Sequence, residues 1–169
     1  TDEGWAQAER AADALLRDGG VEAILTSPLQ RTRDTAAAVS KALGIDPVVE
    51  EDFRECRFGE WDGLTLSEVR ERWPSELDAW LASFAVAPPG GEAVVEVQRR
   101  VEAALQRTLT AYAGRTVVAV SHVTPIKVIV AEAMGASLEG VYRMELGPAS
   151  VTVVSYATTP DGEVRPYLR

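Results

Sequence analysis

The only histidine of the chain, His122, directly follows the apolar run "VVAV" and precedes a helix-start signal at Thr124 and Pro125. An imidazole there can take part in chemistry, because ligands of parallel α/β sheets bind beyond the carboxyl ends of the strands. It can equally be a core residue whose ring bonds to the backbone, and the sequence leaves both interpretations open. The neighbouring Ser121 is a poor candidate nucleophile, since no Gly-x-Ser-x-Gly elbow surrounds it.

Two arginines, Arg31 and Arg33, fall in the first turn of a predicted helix. The helix dipole disfavours a cation there by about 0.3–1 kcal/mol. An anion held by free backbone N–H groups and a guanidinium would account for them. Alternatively, one or both face water or pair with Asp34. An arginine and a histidine at one sheet edge suit a phosphoryl group, whose transition state spreads negative charge over several oxygens.

An acidic segment, residues 46–62, contains seven carboxylates and two arginines. A general acid needs a carboxyl group whose pKa is raised by burial or by like charges. Aromatic neighbours (Phe53, Phe58 and Trp61) could bury one of the seven. The residues alone do not say which one.

Alternating strand and helix patterns must position these groups. The predicted helices are 1–17, 27–43, 65–73, 75–84, 92–113 and 124–135, and the predicted strands are 21–27, 47–50, 115–121, 150–157 and 163–168. Ser27 is the predicted N-cap of the second helix, with Pro28 at its first position and Gln30 completing a capping box. Apolar strands alternating with helices predict a three-layer α/β fold, with a mainly parallel sheet flanked by helices. Ser27 and His122 then belong to the same sheet edge.

Composition limits the class of protein. The net charge of −9 argues against a nucleic-acid surface but allows a locally positive site for an anion. One cysteine and one histidine exclude an intramolecular disulfide and argue against a structural zinc site. No apolar run could span a bilayer and no signal peptide is visible. We therefore expect a soluble, cytoplasmic protein with one domain over residues 1–169.

Four segments occur in a familiar order: "SPLQRTRDTA", "FRECRFGEWDGLT", "PPGGEA" and "VVAVSHVTPIK". Together they resemble the histidine phosphatase (phosphoglycerate-mutase-like) superfamily over nearly the whole chain. The "SPLQR" and "SHVTPIK" sequences are most similar to the α-ribazole-phosphatase-like branch and to the phosphatase half of actinobacterial proteins that fuse ribonuclease H to an acid phosphatase. The resemblance implies a small phosphorylated substrate, no metal or organic cofactor, and a fused ribonuclease H domain upstream. Charge and the lack of a long apolar run predict that this domain binds no nucleic acid and no membrane.

The resemblance also implies roles for particular residues. Arg31 would bind the phosphate through two parallel hydrogen bonds, and His122 would donate a hydrogen bond to the transferring phosphoryl group. Glu55 would protonate the leaving oxygen and then activate water. The residues implied to bind substrate are Arg31, Ser27, Val123 and Thr124.

The chain departs from the family pattern at the nucleophile. The family uses a histidine in an Arg-His-Gly motif at the end of a first strand, and residues 1–169 contain no such motif. We expect that strand and motif to precede Thr1, and the chain to be inactive if they are truly absent. Ala93 stands where the family often has serine and Val123 where it commonly has glycine, which puts contacts around the phosphate in question.

These observations predict an acid-phosphatase-like phosphomonoester hydrolase that acts through a phosphohistidine intermediate. One alternative is phosphoglycerate-mutase-type phosphotransfer. In the phosphoglycerate mutases of this superfamily, a longer insertion between the equivalents of Glu55 and Gly91 shields the phosphohistidine from water. The short segment here therefore favours hydrolysis. The other alternative is a non-catalytic scaffold that binds a phosphorylated ligand or a partner protein.

Overall fold

A parallel sheet of three strands lies at the centre of the protein, described here from a computed structural model of residues 1–169. The strand order is β2-β1-β3. The helices and strands in chain order are α1 (Asp2–Asp18), β1 (Val21–Thr26), α2 (Gln30–Leu43), β2 (Pro47–Val49), α3 (Leu66–Arg72), α4 (Pro74–Ala82), α5 (Val94–Ala111), β3 (Thr116–Val120), α6 (Val123–Ala133), β4 (Val154–Thr158) and β5 (Val164–Leu168). Short 3-10 turns at Glu51–Phe53, Gly59–Trp61 and Leu138–Arg143 complete the fold.

The register of the sheet brings the three strand ends together. Thr26 of β1 pairs with Val49 of β2 and with Val120 of β3. All three strands run in the same direction, so their carboxyl ends share one edge. The parallel sheet and the common edge predicted from the sequence are confirmed.

Helices cover both faces of this sheet. Successive side chains of a strand point to opposite faces, so Ile24 and Leu25 enter different cores. Ile24 packs with Ala12, Ala36 and Val39 of α1 and α2. Leu25 packs with Phe53 and with Ala104 of α5, next to Ile129 of α6. The result is the predicted three-layer arrangement. None of these helices combines the length and the apolarity that crossing a membrane requires.

The C-terminal hairpin forms a second, separate sheet. β4 and β5 pair with each other in antiparallel fashion, as the sequence predicted, although β4 begins at Val154 and not at residue 150. β3 pairs only with β1, so its other side is an unpaired edge of the parallel sheet.

The predicted cap of the second helix is wrong. α2 begins at Gln30 with Leu29 as its N-cap, and no side chain caps it. Ser27 lies three residues before the helix, and its hydroxyl contacts His122 and accepts a hydrogen bond from the backbone N–H of Leu29 at 3.3 Å. The helix predicted to begin at residue 75 begins one residue earlier, at Pro74. A capping box of Thr65 and Glu68 begins α3.

The loop after Glu55 lies against the "PPGGE" turn. Gly59 has φ of +58°, and the next backbone N–H, from Glu60, donates to the carbonyl of Pro89 at 2.9 Å. Any side chain at Gly59 would collide with the Pro89 carbonyl and the backbone beyond it. Gly59 therefore fixes how closely these two segments approach each other.

We predict that Gly59→Ala lowers the free energy of unfolding by more than about 2 kcal/mol, because a left-handed backbone costs about 1–2 kcal/mol and the added methyl group has no space. Gly63→Ala is the matched control: φ at Gly63 is +79°, but a Cβ there meets open space. It should cost only the backbone component. Urea unfolding monitored by circular dichroism measures both, and equal losses would contradict the close approach at Gly59.

Candidate active site

A hydrogen bond across the sheet edge joins the ends of β1 and β3. The hydroxyl oxygen of Ser27 lies 2.7 Å from Nε2 of His122, and both residues are buried. The backbone N–H of Ser27 also donates to the carbonyl of Val120 at 2.9 Å. His122 is therefore held at the ligand-binding edge of the sheet by a side chain from the neighbouring strand end.

The environment of His122 keeps its ring neutral. Burial, together with the positive charges of Arg31 and Arg100, lowers the pKa of His122 from 6.5 to about 4. A group whose pKa is lower in the folded protein than in the unfolded chain is protonated preferentially on unfolding. The stability contributed by the neutral ring is thus complete above about pH 6.5 and is lost as the pH falls toward 4.

Arg31 lies in the first turn of α2 with its side chain exposed. Its guanidinium makes no hydrogen bond or ion pair within residues 1–169, and neither does that of Arg33. The predicted alternative of a pair with Asp34 is wrong, since Asp34 accepts a hydrogen bond from Gln30 at 2.6 Å instead. The charge of Arg31 still reaches His122, because it lowers the pKa of that ring.

Among the seven carboxylates of residues 46–62, Glu55 reaches the edge that carries His122. Its Oε1 accepts a hydrogen bond from the backbone N–H of Cys56 at 2.7 Å. Its Oε2 accepts from the backbone N–H of Thr124 at 3.5 Å, in the first turn of α6. Val123, the residue after His122, begins this helix and is 45% exposed.

The other six carboxylates lie elsewhere. Glu50 and Asp52 each accept a hydrogen bond from Arg107 at 2.8 Å. The remaining four are exposed: Asp46, Glu51, Glu60 and Asp62. Glu55 is thus the carboxylate that geometry selects, which composition could not do.

The hydroxyl of Ser121 serves the structure of this edge. It donates a hydrogen bond to the backbone carbonyl of Phe53 at 2.7 Å. This contact ties the end of β3 to the turn that precedes Glu55. It agrees with the sequence-based rejection of Ser121 as a nucleophile.

A buried ion pair near the site was missed by the sequence analysis. Arg100 of α5 donates to both carboxylate oxygens of Glu92, at 2.8 and 3.0 Å. Their side chains are only 9% and 5% exposed. One signal was available, since Arg100 interrupts an apolar stripe of α5 formed by Val97, Val101 and Ala104. Glu92 itself lies in the "PPGGEA" segment.

The edge therefore brings together three kinds of chemical group. It has an unpaired guanidinium, a neutral imidazole, and a carboxylate aimed by backbone N–H donors. Such a set can hold an anionic oxygen and move a proton to or from a neighbouring atom. Ser27, Val123 and Thr124, the other residues expected to bind substrate, all belong to this edge.

Comparison with known sequences gives relatives that match across most of the chain. The Bifunctional protein Rv2228c of Mycobacterium tuberculosis (strain H37Rv) is 42% identical over 162 residues, which cover 96% of this chain. Those residues cover only 44% of the relative, so the chain spans less than half the length of that protein. Other curated relatives carry the names of phosphatases and of phosphoglycerate mutases.

Solved structures share the fold over the entire chain. Mycobacterial glucosyl-3-phosphoglycerate phosphatase Rv2419c superposes with a TM-score of 0.85 at 27% identity, covering 100% of this chain and 85% of that one. The alpha-ribazole phosphatase from Shigella flexneri superposes with a TM-score of 0.83 at 21% identity, covering 100% and 81%. The second likeness concerns the fold alone. The expected phosphoglycerate-mutase-like architecture is confirmed.

The family model that matches this chain covers residues 1–162, from the first helix to the turn of the last hairpin. Its span includes the edge that carries Arg31, Glu55 and His122. The chain belongs to the histidine phosphatase superfamily, branch 1.

Proposed function

We propose that this protein hydrolyses a small phosphomonoester through a phosphohistidine intermediate. One observation carries the proposal: the ends of β1 and β3 place the neutral imidazole of His122 beside Ser27, with Arg31 and Glu55 reaching the same edge. A guanidinium, an imidazole and a carboxylate are the groups that phosphoryl transfer to and from a nitrogen nucleophile requires.

Arg31 binds the phosphoryl group in this proposal. Its guanidinium has no partner within the chain, so its N–H donors are available to a ligand. Arginine matches the geometry of phosphate oxygens with two parallel hydrogen bonds. The free N–H groups in the first turn of α2 add donors that favour an anion.

His122 stabilises the transferring group. A neutral imidazole carries one N–H donor, and a phosphate dianion beside the ring favours its doubly protonated form. The hydroxyl of Ser27 holds the ring at Nε2. The stabilisation acts on the charge of the transition state, where preorganised donors contribute most.

Glu55 transfers the proton in both steps. In the first step the nucleophile nitrogen bonds to phosphorus, the bond from phosphorus to the ester oxygen breaks, and Glu55 in its acid form gives its proton to that oxygen. In the second step the Glu55 carboxylate takes a proton from water, the hydroxide bonds to phosphorus, and the bond from phosphorus to nitrogen breaks. Phosphate leaves, and both residues return to their starting forms.

The nucleophile histidine is proposed to come from outside residues 1–169. The unpaired edge of β3 supports this part of the proposal, because apolar strands seldom leave one side without a partner. An additional strand that paired with the free side of β3 in parallel would end beside His122. A histidine at its end would then face the same point as Arg31 and Glu55.

Hydrolysis and mutase activity are separated by substrate and product. The full-length protein should release inorganic phosphate from p-nitrophenyl phosphate and form an acid-labile, alkali-stable phosphoenzyme with ³²P-labelled substrate. Interconversion of 2- and 3-phosphoglycerate without release of phosphate would support the mutase instead. A protein that binds phosphate but turns over neither substrate would support the non-catalytic scaffold. Segment 56–90, which holds the short helices α3 and α4 and one 3-10 turn, favours hydrolysis because of its small size.

We predict that His122→Ala and Arg31→Ala each lower kcat/KM for p-nitrophenyl phosphate by about 10²–10³-fold, because both act on transition-state charge. Arg33→Ala is the matched control. Arg33 lies in the same turn of α2, is exposed and makes no ion pair. Its removal should change kcat/KM by less than about threefold, because residues two positions apart project from nearly opposite sides of a helix. A loss in the control as large as that in Arg31→Ala would contradict the assignment.

We predict that the imidazole of His122 titrates with a midpoint near 4, and that saturating inorganic phosphate raises this midpoint. Arg31→Ala should raise the midpoint without phosphate, because a nearby positive charge is removed, and should weaken the effect of phosphate. NMR chemical shifts of the ring against pH measure all three. A midpoint at 6.5 or above that ignores phosphate would contradict a phosphate site at His122.

A further inference from the structure

The guanidinium of Arg100 holds the backbone that carries Glu55. Nη1 donates to the carbonyls of Asp52 at 2.6 Å and Arg54 at 2.8 Å, and Nη2 donates to the carbonyl of Glu55 at 3.2 Å. The two bonds to Glu92 complete the set. A guanidinium has five N–H donors, so all of them are used here.

The pair is charged as well as buried. Burial alone would raise the pKa of Glu92, but the hydrogen bonds and charge of Arg100 outweigh it, so the pKa of Glu92 lies below its usual value. A buried ion pair offers little net stability compared with apolar residues of the same size. Stability alone therefore does not explain the presence of this pair. The hydrogen bonds of Arg100 to three backbone carbonyls provide another explanation.

The direction of the Glu55 carboxylate depends on the same backbone. Oε1 is aimed by the N–H of Cys56, the residue after the one whose carbonyl Arg100 holds. The backbone N–H of Glu92 donates in turn to the carbonyl of Arg57 at 2.8 Å. Residues 52–57 are thus fixed on both sides of Glu55 by one ion pair.

We propose that Arg100 and Glu92 are positioning residues for the proton transfer by Glu55. This inference rests on the proposed function, in which Glu55 protonates the leaving oxygen. All five N–H donors of Arg100 are used by Glu92 and by backbone carbonyls, so none is left for a substrate. The pair acts by holding the backbone whose N–H aims the carboxylate toward α6 and His122.

The test uses the dependence of rate on the leaving group. Phenolate is a poor leaving group and needs the proton of Glu55, whereas p-nitrophenolate leaves readily without it. Glu55→Gln in the full-length protein should therefore lower kcat/KM for phenyl phosphate by about 10²-fold or more, and for p-nitrophenyl phosphate much less. The ratio of the rates on these two esters therefore reports on the proton transfer by Glu55.

Arg100→Lys retains a charge beside Glu92 but has three donors where five are needed. It should lower kcat/KM for phenyl phosphate about tenfold more than for p-nitrophenyl phosphate. In a Glu55→Gln background it should change either rate by less than about twofold, because the two residues act in series. A residue that only stabilises the fold would lower both rates equally and would do so in either background.

Arg107→Lys is the matched control. Arg107 also lies on α5 and binds the same segment, but through the side chains of Glu50 and Asp52 and while exposed. It should leave the ratio of the two rates unchanged. A change in this ratio as large as that of Arg100→Lys would overturn the inference.

Folding of each variant is checked by thermal unfolding. If Arg100→Lys does not fold, Glu92→Gln provides the same comparison, since it keeps the shape of the pair and removes one charge. Equal losses on both esters, or failure of both variants to fold, would assign the pair to stability alone and overturn the positioning role. A wild-type protein that hydrolyses neither ester would instead overturn the proposed phosphatase function.

Discussion

Backbone hydrogen bonds between β1 and its two neighbours, β2 and β3, bring the carboxyl ends of all three strands to one edge of the sheet. Because Thr26 is in register with both Val49 and Val120, the residues that follow each strand meet there. The contact between Ser27 and His122 is a direct consequence, and so is the approach of the segment that carries Glu55. A shift of β3 by one residue would turn each of its side chains to the opposite face of the sheet and separate the group.

Charge at this edge differs from that of the whole molecule. The protein carries a net charge of −9, but Arg31, which has no partner within residues 1–169, lies close enough to His122 to lower the pKa of that ring. An acidic protein can therefore present a small cationic site to an anionic ligand. A neutral ring suits such a site, because a protonated imidazole would repel the guanidinium of Arg31 as long as no anionic ligand is bound.

The buried pair of Arg100 and Glu92 links packing to the site. The apolar residues of α5 pack beneath the sheet and against α6, and Arg100 projects from the same helix into the segment that precedes and follows Glu55. The position of the carboxylate is therefore set by a helix of the core and not by the loop itself. A loop held in this way can place a functional group as accurately as a strand or helix does.

Local sequence patterns were enough to predict the alternation of strands and helices, the parallel sheet, and the placement of Arg31 and His122 at strand–helix junctions. These features follow from local periodicity and from the geometry common to parallel sheets. The tertiary structure alone decided that Ser27 contacts His122, that Glu55 and not another carboxylate reaches the edge, and that Arg100 holds its backbone. Those contacts join residues 95, 69 and 45 positions apart. Patterns within one helix or strand carry no information about partners so distant, because the partners meet only after the layers have packed.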